Sequence, residues 1–133
     1  MPKIILDTNI YISALLFSNV FQNKVLKIIK NHETIISEEI LRELRNKLKN
    51  KFKISREVLN IFDSEFLTKI KIKKIDPNIK ILKCRDPKDN HLLELSQTTQ
   101  ADYLITGDKD LLVLKKINKT KIVTIANFSL KKY

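Results

Sequence analysis

The chain has 133 residues, 26 Lys+Arg against 15 Asp+Glu for a formal net charge of +11, and is 43% hydrophobic and 31% charged. That length fits one domain, and that balance excludes a disordered polyelectrolyte, while no apolar run approaches the ~20 residues of a membrane-spanning helix. Met1-Pro2-Lys3 runs straight into Ile4-Ile5-Leu6, unlike a secretory leader, and the lone Cys84 excludes an internal disulfide and a cysteine-built zinc cage.

Lys3–Leu6 is a short apolar run that predicts a buried strand, broken at Asp7-Thr8-Asn9. Ile10–Phe17 and Val20–Lys30 read as helices, the second with Phe21, Val25, Ile28 and Ile29 on its apolar face. Thr34-Ile35-Ile36 reads as a second strand, stopped by Ser37, a good N-cap for a helix that places Ile40, Leu41, Leu44, Leu48 and Phe52 on one stripe. Another amphipathic helix is predicted from about Ser55 to Leu67. Lys69–Ile75 alternates lysine with isoleucine as a half-exposed or edge strand does. Asp76-Pro77-Asn78 turns the chain, and residues 79–85 connect to a helix opened by Asp86-Pro87, with proline at its first position. Asp102–Thr106 reads as a buried strand, Gly107-Asp108 as a turn, Asp110–Lys115 as a short helix, and Lys121–Ile125 as a last strand before a short tail. Strands separated by helices predict an α/β fold with a parallel sheet. No repeat, low-complexity tract or linker divides the chain, so residues 1–133 are expected to form a single cytoplasmic domain.

The positive charge is uneven. Residues 42–88 hold fifteen Lys or Arg, among them Arg45, Lys47, Lys49 and Lys51, against six acids. A sequence pI near 9.8 points to a polyanionic partner, most often nucleic acid. Only four of the 26 bases are arginine; this fits a lysine-rich surface as well as contact with a nucleic-acid backbone, and fits bidentate base reading less well.

The acids sit at telling positions. In a parallel sheet, ligands bind beyond the carboxyl ends of the strands. Asp7 ends the first strand, and Asp108 and Asp110 follow the Asp102–Thr106 strand. Each of Asp7 and Asp108 could instead be a simple helix cap. Gly107, the only glycine in the chain, implies a tight corner there, with positive φ or close backbone approach. With Asp86 as cap and Pro87 at the first helical position, Asp89 falls in the first turn. There it could complement the helix dipole, but it precedes Leu92 and Leu93 by three and four residues and so faces the buried side. Glu43 sits beside the apolar stripe of its helix, and by spacing alone would be a solvated charge paired with Lys47. Were Asp7, Asp89 and Asp108 to converge, their repulsion would raise some pKa values. A hard divalent cation, Mg²⁺ or Mn²⁺, would relieve it. Such an ion bridges phosphate oxygens and suits phosphodiester hydrolysis.

Two stretches strongly resemble the PIN-domain family: Ile4-Ile5-Leu6-Asp7-Thr8-Asn9 and Ala101-Asp102-Tyr103-Leu104-Ile105-Thr106-Gly107-Asp108-Lys109-Asp110-Leu111-Leu112. Between them, Ser37-Glu38-Glu39-Ile40-Leu41-Arg42-Glu43-Leu44 and Arg85-Asp86-Pro87-Lys88-Asp89-Asn90 look like that family's second and third motifs, in the same order. The resemblance runs from residue 3 to about 128, and its nearest likeness is to toxin ribonucleases of toxin–antitoxin pairs. It implies a three-layer α/β/α fold with a mainly parallel sheet of four to five strands. It implies a catalytic set of Asp7, Glu43, Asp89 and Asp108, with Asp7, Asp89, Asp108 and Asp110 as metal ligands. Asn9 and Thr106 would be supporting polar residues, and Arg45, Lys47, Lys49 and Lys51 the RNA-binding bases. The implied activity is Mg²⁺- or Mn²⁺-dependent RNA cleavage. The implied partners are RNA, a small antitoxin protein and further copies of the chain in a homodimer or higher oligomer. The helix after Asp89 reads Leu-Leu-Glu-Leu-Ser where many relatives carry small alanines, and the compact segment after Thr106 leaves open whether Asp108 or Asp110 faces the metal.

Other residues carry less. His91 is expected at or near the surface, and Cys84 as a small packing residue. Phe17, Phe21, Phe52, Phe62 and Phe66 are expected in the core, any exposed cluster of them marking a dimer or antitoxin surface. The alternative to a ribonuclease is a non-catalytic RNA-binding or scaffolding protein with a vestigial acidic pocket. A haloacid-dehalogenase-type phosphatase is disfavoured because Asn9 stands where that chemistry needs a second aspartate.

Overall fold

The computed structural model describes residues 1–130. Its centre is built from the apolar runs. In β1 (Lys3–Leu6), β2 (Glu33–Ser37) and β4 (Tyr103–Ile105) consecutive residues are buried, so both faces of the sheet are covered. The six strands lie in the order β3-β2-β1-β4-β6-β5. β3 (Ile70–Lys73) and β6 (Thr120–Val123) join β2 and β4 in parallel, and among the described residues only β5 (Lys116–Ile117) is antiparallel. Around this sheet pack α1 (Thr8–Leu16), α2 (Asn19–Asn31), α3 (Glu38–Asn46), α4 (Arg56–Ile61), α5 (Pro87–Thr99), α6 (Lys109–Leu112) and α7 (Ile125–Leu130). The mainly parallel α/β/α architecture is as expected, with six strands in place of four to five.

The helix starts follow from side-chain chemistry. Ser18, Ser37, Ser55 and Asp86 each take an extended backbone and accept a hydrogen bond from an otherwise orphaned N–H of α2, α3, α4 and α5. Pro87 stands at the head of α5, where its missing N–H costs nothing.

Departures from expectation have local causes. β5 has two residues, too few for periodicity to register, and its hairpin relies on Lys115 and Asn118 at φ +62° and +50°. The long helices predicted after Ser37 and Ser55 both widen into π-helical turns, at Lys47–Lys51 and Phe62–Phe66. The second lets Phe62 and Phe66 stack at 6.0 Å while Tyr11 meets Phe62 edge-on. An i, i+4 stripe does not distinguish the two helical pitches. The expected tail is largely α7, tied down because the Phe128 ring packs edge-on against His32 and Tyr103 at 5.2 and 5.3 Å. Phe17 (72% exposed) and Phe52 (38% exposed) are surface residues, contrary to their expected core role, whereas Phe62 and Phe66 are fully buried. Gly107 also corrects its reading: its φ is not positive, and a Cβ placed there would meet nothing within 4 Å. The corner is open, not crowded.

Candidate metal centre

β1, β2, β3, β4 and β6 all end on the same side of the sheet, and the acids collect there. The Asp7 N–H donates to the Ile105 carbonyl at 3.0 Å, extending the β1–β4 ladder by one residue and seating Asp7 beside the end of β4. Its buried carboxylate accepts from the Asn9 N–H (3.4 Å) and Thr8 Oγ1 (3.1 Å) through Oδ1, and from Thr106 Oγ1 (2.7 Å) through Oδ2. Asp7 is thus the cap of α1 and part of the acidic group at once. Thr106 is held by its own N–H on the Val123 carbonyl (2.9 Å), and its hydroxyl oxygen accepts from the Asp108 N–H at 3.0 Å. One hydroxyl therefore links Asp7 to the backbone of Asp108. The Asp108 carboxylate caps α6 by accepting from the Asp110 N–H at 2.9 Å.

Asp89 enters from α5, 1% exposed, and its Oδ1 receives no hydrogen bond. One carboxylate oxygen from each of Asp7, Asp89 and Asp108 lies within 4.8 Å of the others. Burial pushes the Asp89 carboxyl up to about 7; Asp108 and Asp7 push the same way, and Lys88 opposes them.

Lys88 is the residue that the sequence reading missed. Its side chain is 6% exposed, with Nζ 3.4 Å from Asp7 Oδ1 and 3.7 Å from Asp89 Oδ1. Burial alone would favour a neutral amine, but Asp7 and then Asp89 hold its pKa above the ordinary lysine value. As a base in the first turn of a helix it reads as solvated. The available signal was its position next to the inward-facing Asp89.

Asn90 and Glu94 were also missed. Asn90 Oδ1 accepts from the Cys84 N–H (2.8 Å) and its Nδ2 donates to the Cys84 carbonyl (3.0 Å), while Glu94 Oε2 accepts from the Ile81 N–H (2.9 Å). One face of α5 thus clamps the connection that leads into the helix carrying Asp89. The Cys84 thiol is pushed up by burial and by the charges of Asp89, Asp110 and Asp108.

The remaining candidates lie outside the trio. Glu43 is half-exposed and pairs with Lys47 at 3.3 Å. Asp110 is exposed, 3.5 Å from Arg85, so it is Asp108 that turns inward. Asn9 is exposed and contributes its backbone N–H. Arg45 is committed to Asp63 (2.6 Å) and lies over the Phe62 ring. Lys49 is exposed, and Lys51 lies over Phe52 at 5.5 Å. His91 is half-buried.

The three acids gather around one ammonium that reaches Asp7 and Asp89, so negative charge is left over, and among the described residues the buried Asp89 Oδ1 lacks a donor. An all-oxygen donor set with this imbalance fits a hard divalent cation. No helix among the described residues is long and apolar enough to cross a membrane.

The comparisons with known proteins agree with this geometry. A family model described as the PIN domain matches residues 3–110. Uncharacterized protein MJ1680 from Methanocaldococcus jannaschii is 34% identical over 128 residues, covering 88% of this chain and 77% of the relative. The crystal structure of PAE2754 from Pyrobaculum aerophilum superposes with a TM-score of 0.60 at 14% identity, covering 98% of this chain and 91% of that one, a likeness of fold alone.

Proposed function

The chain belongs to the PIN-domain family, whose members are generally metal-dependent nucleases, and on that premise we propose that it is an endoribonuclease that hydrolyses RNA phosphodiester bonds with Mg²⁺ or Mn²⁺. The observation that carries the reading is the meeting of Asp7, Asp89 and Asp108, from three separated stretches of chain, around a buried oxygen without a donor. The ion would supply Lewis-acid charge at the phosphodiester and make water more acidic. The protein's part is to hold the three carboxylates: Thr106 bonds Asp7 and the Asp108 backbone, and Asn90 and Glu94 tie down the segment before α5, the helix that carries Asp89. Glu43, on α3, which packs against α5, is the remaining acid of the proposed catalytic set. The exposed Lys49 and Lys51 are proposed to meet the RNA backbone, together with Arg45 and Lys47.

We further read the chain as the cytoplasmic toxin of a type II toxin–antitoxin pair, with a small antitoxin and a second copy of itself as partners. Leu16, Phe17 and Val20, exposed where α1 meets α2, support an apolar protein contact.

The test is Asp7→Asn. Asparagine caps a helix as well as aspartate does, so the fold should survive, with an unchanged circular dichroism spectrum, while Mn²⁺-dependent RNA cleavage is abolished. Cleavage equal to wild type would refute the assignment. Absence of cleavage and of any metal response in the wild-type chain would favour the non-catalytic RNA-binding reading.

A further inference from the structure

Lys88 places a cation on the carboxylates that the proposed metal ion needs. Its Nζ is 3.4 Å from Asp7 Oδ1 and 3.7 Å from Asp89 Oδ1, inside a pocket that leaves the side chain 6% exposed. A charged pair this buried is screened little by solvent. The other donors to the acids are fixed: Thr106 and Thr8 hydroxyls and the Asn9 N–H serve Asp7, and the Asp110 N–H serves Asp108. Among the described residues, Asp89 Oδ1 has no hydrogen bond, and Lys88 is the base that lies beside it. Lysine is a compact charge on a flexible four-carbon stem, suited to withdrawing without movement of the backbone. The backbone N–H of Lys88 is meanwhile tied to the Asp86 cap at 3.0 Å, so any movement is confined to its side chain.

We propose that Lys88 is a built-in competitor for the divalent ion. In the metal-free protein its ammonium pairs with Asp7 and Asp89, and it leaves them when the ion binds, so that it sets the concentration at which the site loads. This inference rests on the proposed metal site and goes beyond it by assigning the pocket's own cation a role. The competitor also explains how the two buried acids, Asp7 and Asp89, persist beside Asp108 in a metal-free fold: removing the ammonium would leave buried charge uncompensated.

The experiment is titration of the full chain with MnCl₂, following free Mn²⁺ by electron paramagnetic resonance and stability by thermal melting. Lys88→Met and Lys88→Gln remove the charge, and Lys88→Arg keeps it. Both neutral variants should bind Mn²⁺ about tenfold tighter or more, through lost like-charge repulsion at short range. They should melt lower without metal and gain more from Mn²⁺, while Lys88→Arg should bind close to wild type. Unchanged or weaker binding in the neutral variants would overturn the competitor role and leave the metal site standing. Equal tightening in Lys88→Arg would also overturn it, by tracing the effect to packing. Wild type and variants all failing to bind Mn²⁺ would instead overturn the metal site, and the competitor role with it.

Discussion

The two ends of the sheet treat their acids in opposite ways. At the amino ends, Asp102 precedes β4 and is supplied with donors: its Oδ2 accepts the Lys3 N–H at 2.8 Å, and Oδ1 lies 3.5 Å from Lys119 Nζ. The Lys3 N–H, seconded by Lys119, holds the Asp102 carboxyl below its ordinary range. Glu33, 2.8 Å from Lys71, is lowered likewise by that partner. At the carboxyl ends, Asp89 is buried beside two other acids, short of a donor, and raised to about 7. The first arrangement stabilises the fold. The second costs stability and makes sense as a place for a cation to bind.

That contrast can be broken by a change that leaves every carboxylate in place. Thr106→Val removes the hydroxyl linking Asp7 to Asp108 while keeping the shape. Outer partners of metal ligands typically matter about 10–100-fold, and a loss of that size is expected in Mn²⁺ affinity and RNA cleavage. A variant indistinguishable from wild type in both would mean that the acids are not held for a metal.

The opposite shifts also predict opposite pH responses. A folded-state pKa raised from 3.8 to about 7 means that Asp89 contributes its full stability below the ordinary carboxyl value and loses it as pH rises towards 7. Asp102, lowered, contributes above its ordinary value and loses that contribution only in acid. The metal-free melting temperature should therefore carry a downward Asp89 component between about pH 4 and 7. Over the same window stabilisation by Mn²⁺ should grow, as the carboxylate sheds its proton. Melting curves of wild type and Asp89→Asn, with and without Mn²⁺, isolate this component, which the variant should lack.

The smallest effect belongs to the stabilising end. Asp102→Asn should lower stability by about 1 kcal/mol, a hydrogen bond to a charged group discounted because the Asp102 side chain is 39% exposed. RNA cleavage should stay close to wild type, since the Asp102 side chain bonds at the far end of the strands. Denaturant unfolding and a cleavage assay on the same sample check both halves.

Much of this was legible in the sequence because it follows from local rules. Buried strands announce themselves as apolar runs. Serine or aspartate before a helix fixes where it starts, and the Asp86-Pro87 start sets the rotation that turns Asp89 inward. Asp7 and Asp108 stood out by following strands. What escaped is either too short to show a pattern, as β5 is, or set by contacts that residue periodicity does not encode. β5 exists through pairing with β6, α7 is tied down by Phe128 against His32 and Tyr103, and the inward turn of Asp108 over Asp110 is set by Thr106 and Arg85. Lys88 escaped because a lysine near a helix start is usually solvated, and only the assembled pocket turns it into a counter-ion. The role of Glu43 rests on the resemblance of its motif, since its carboxylate pairs with Lys47 outside the trio.

The most direct measurement is an anomalous difference map from a crystal of the wild-type chain soaked in MnCl₂. The account predicts a peak ligated by Asp7, Asp89 and Asp108 at about 2.1 Å from their oxygens, with Lys88 Nζ moved away from Asp7. A crystal saturated with Mn²⁺ that shows no peak among those three side chains would contradict it.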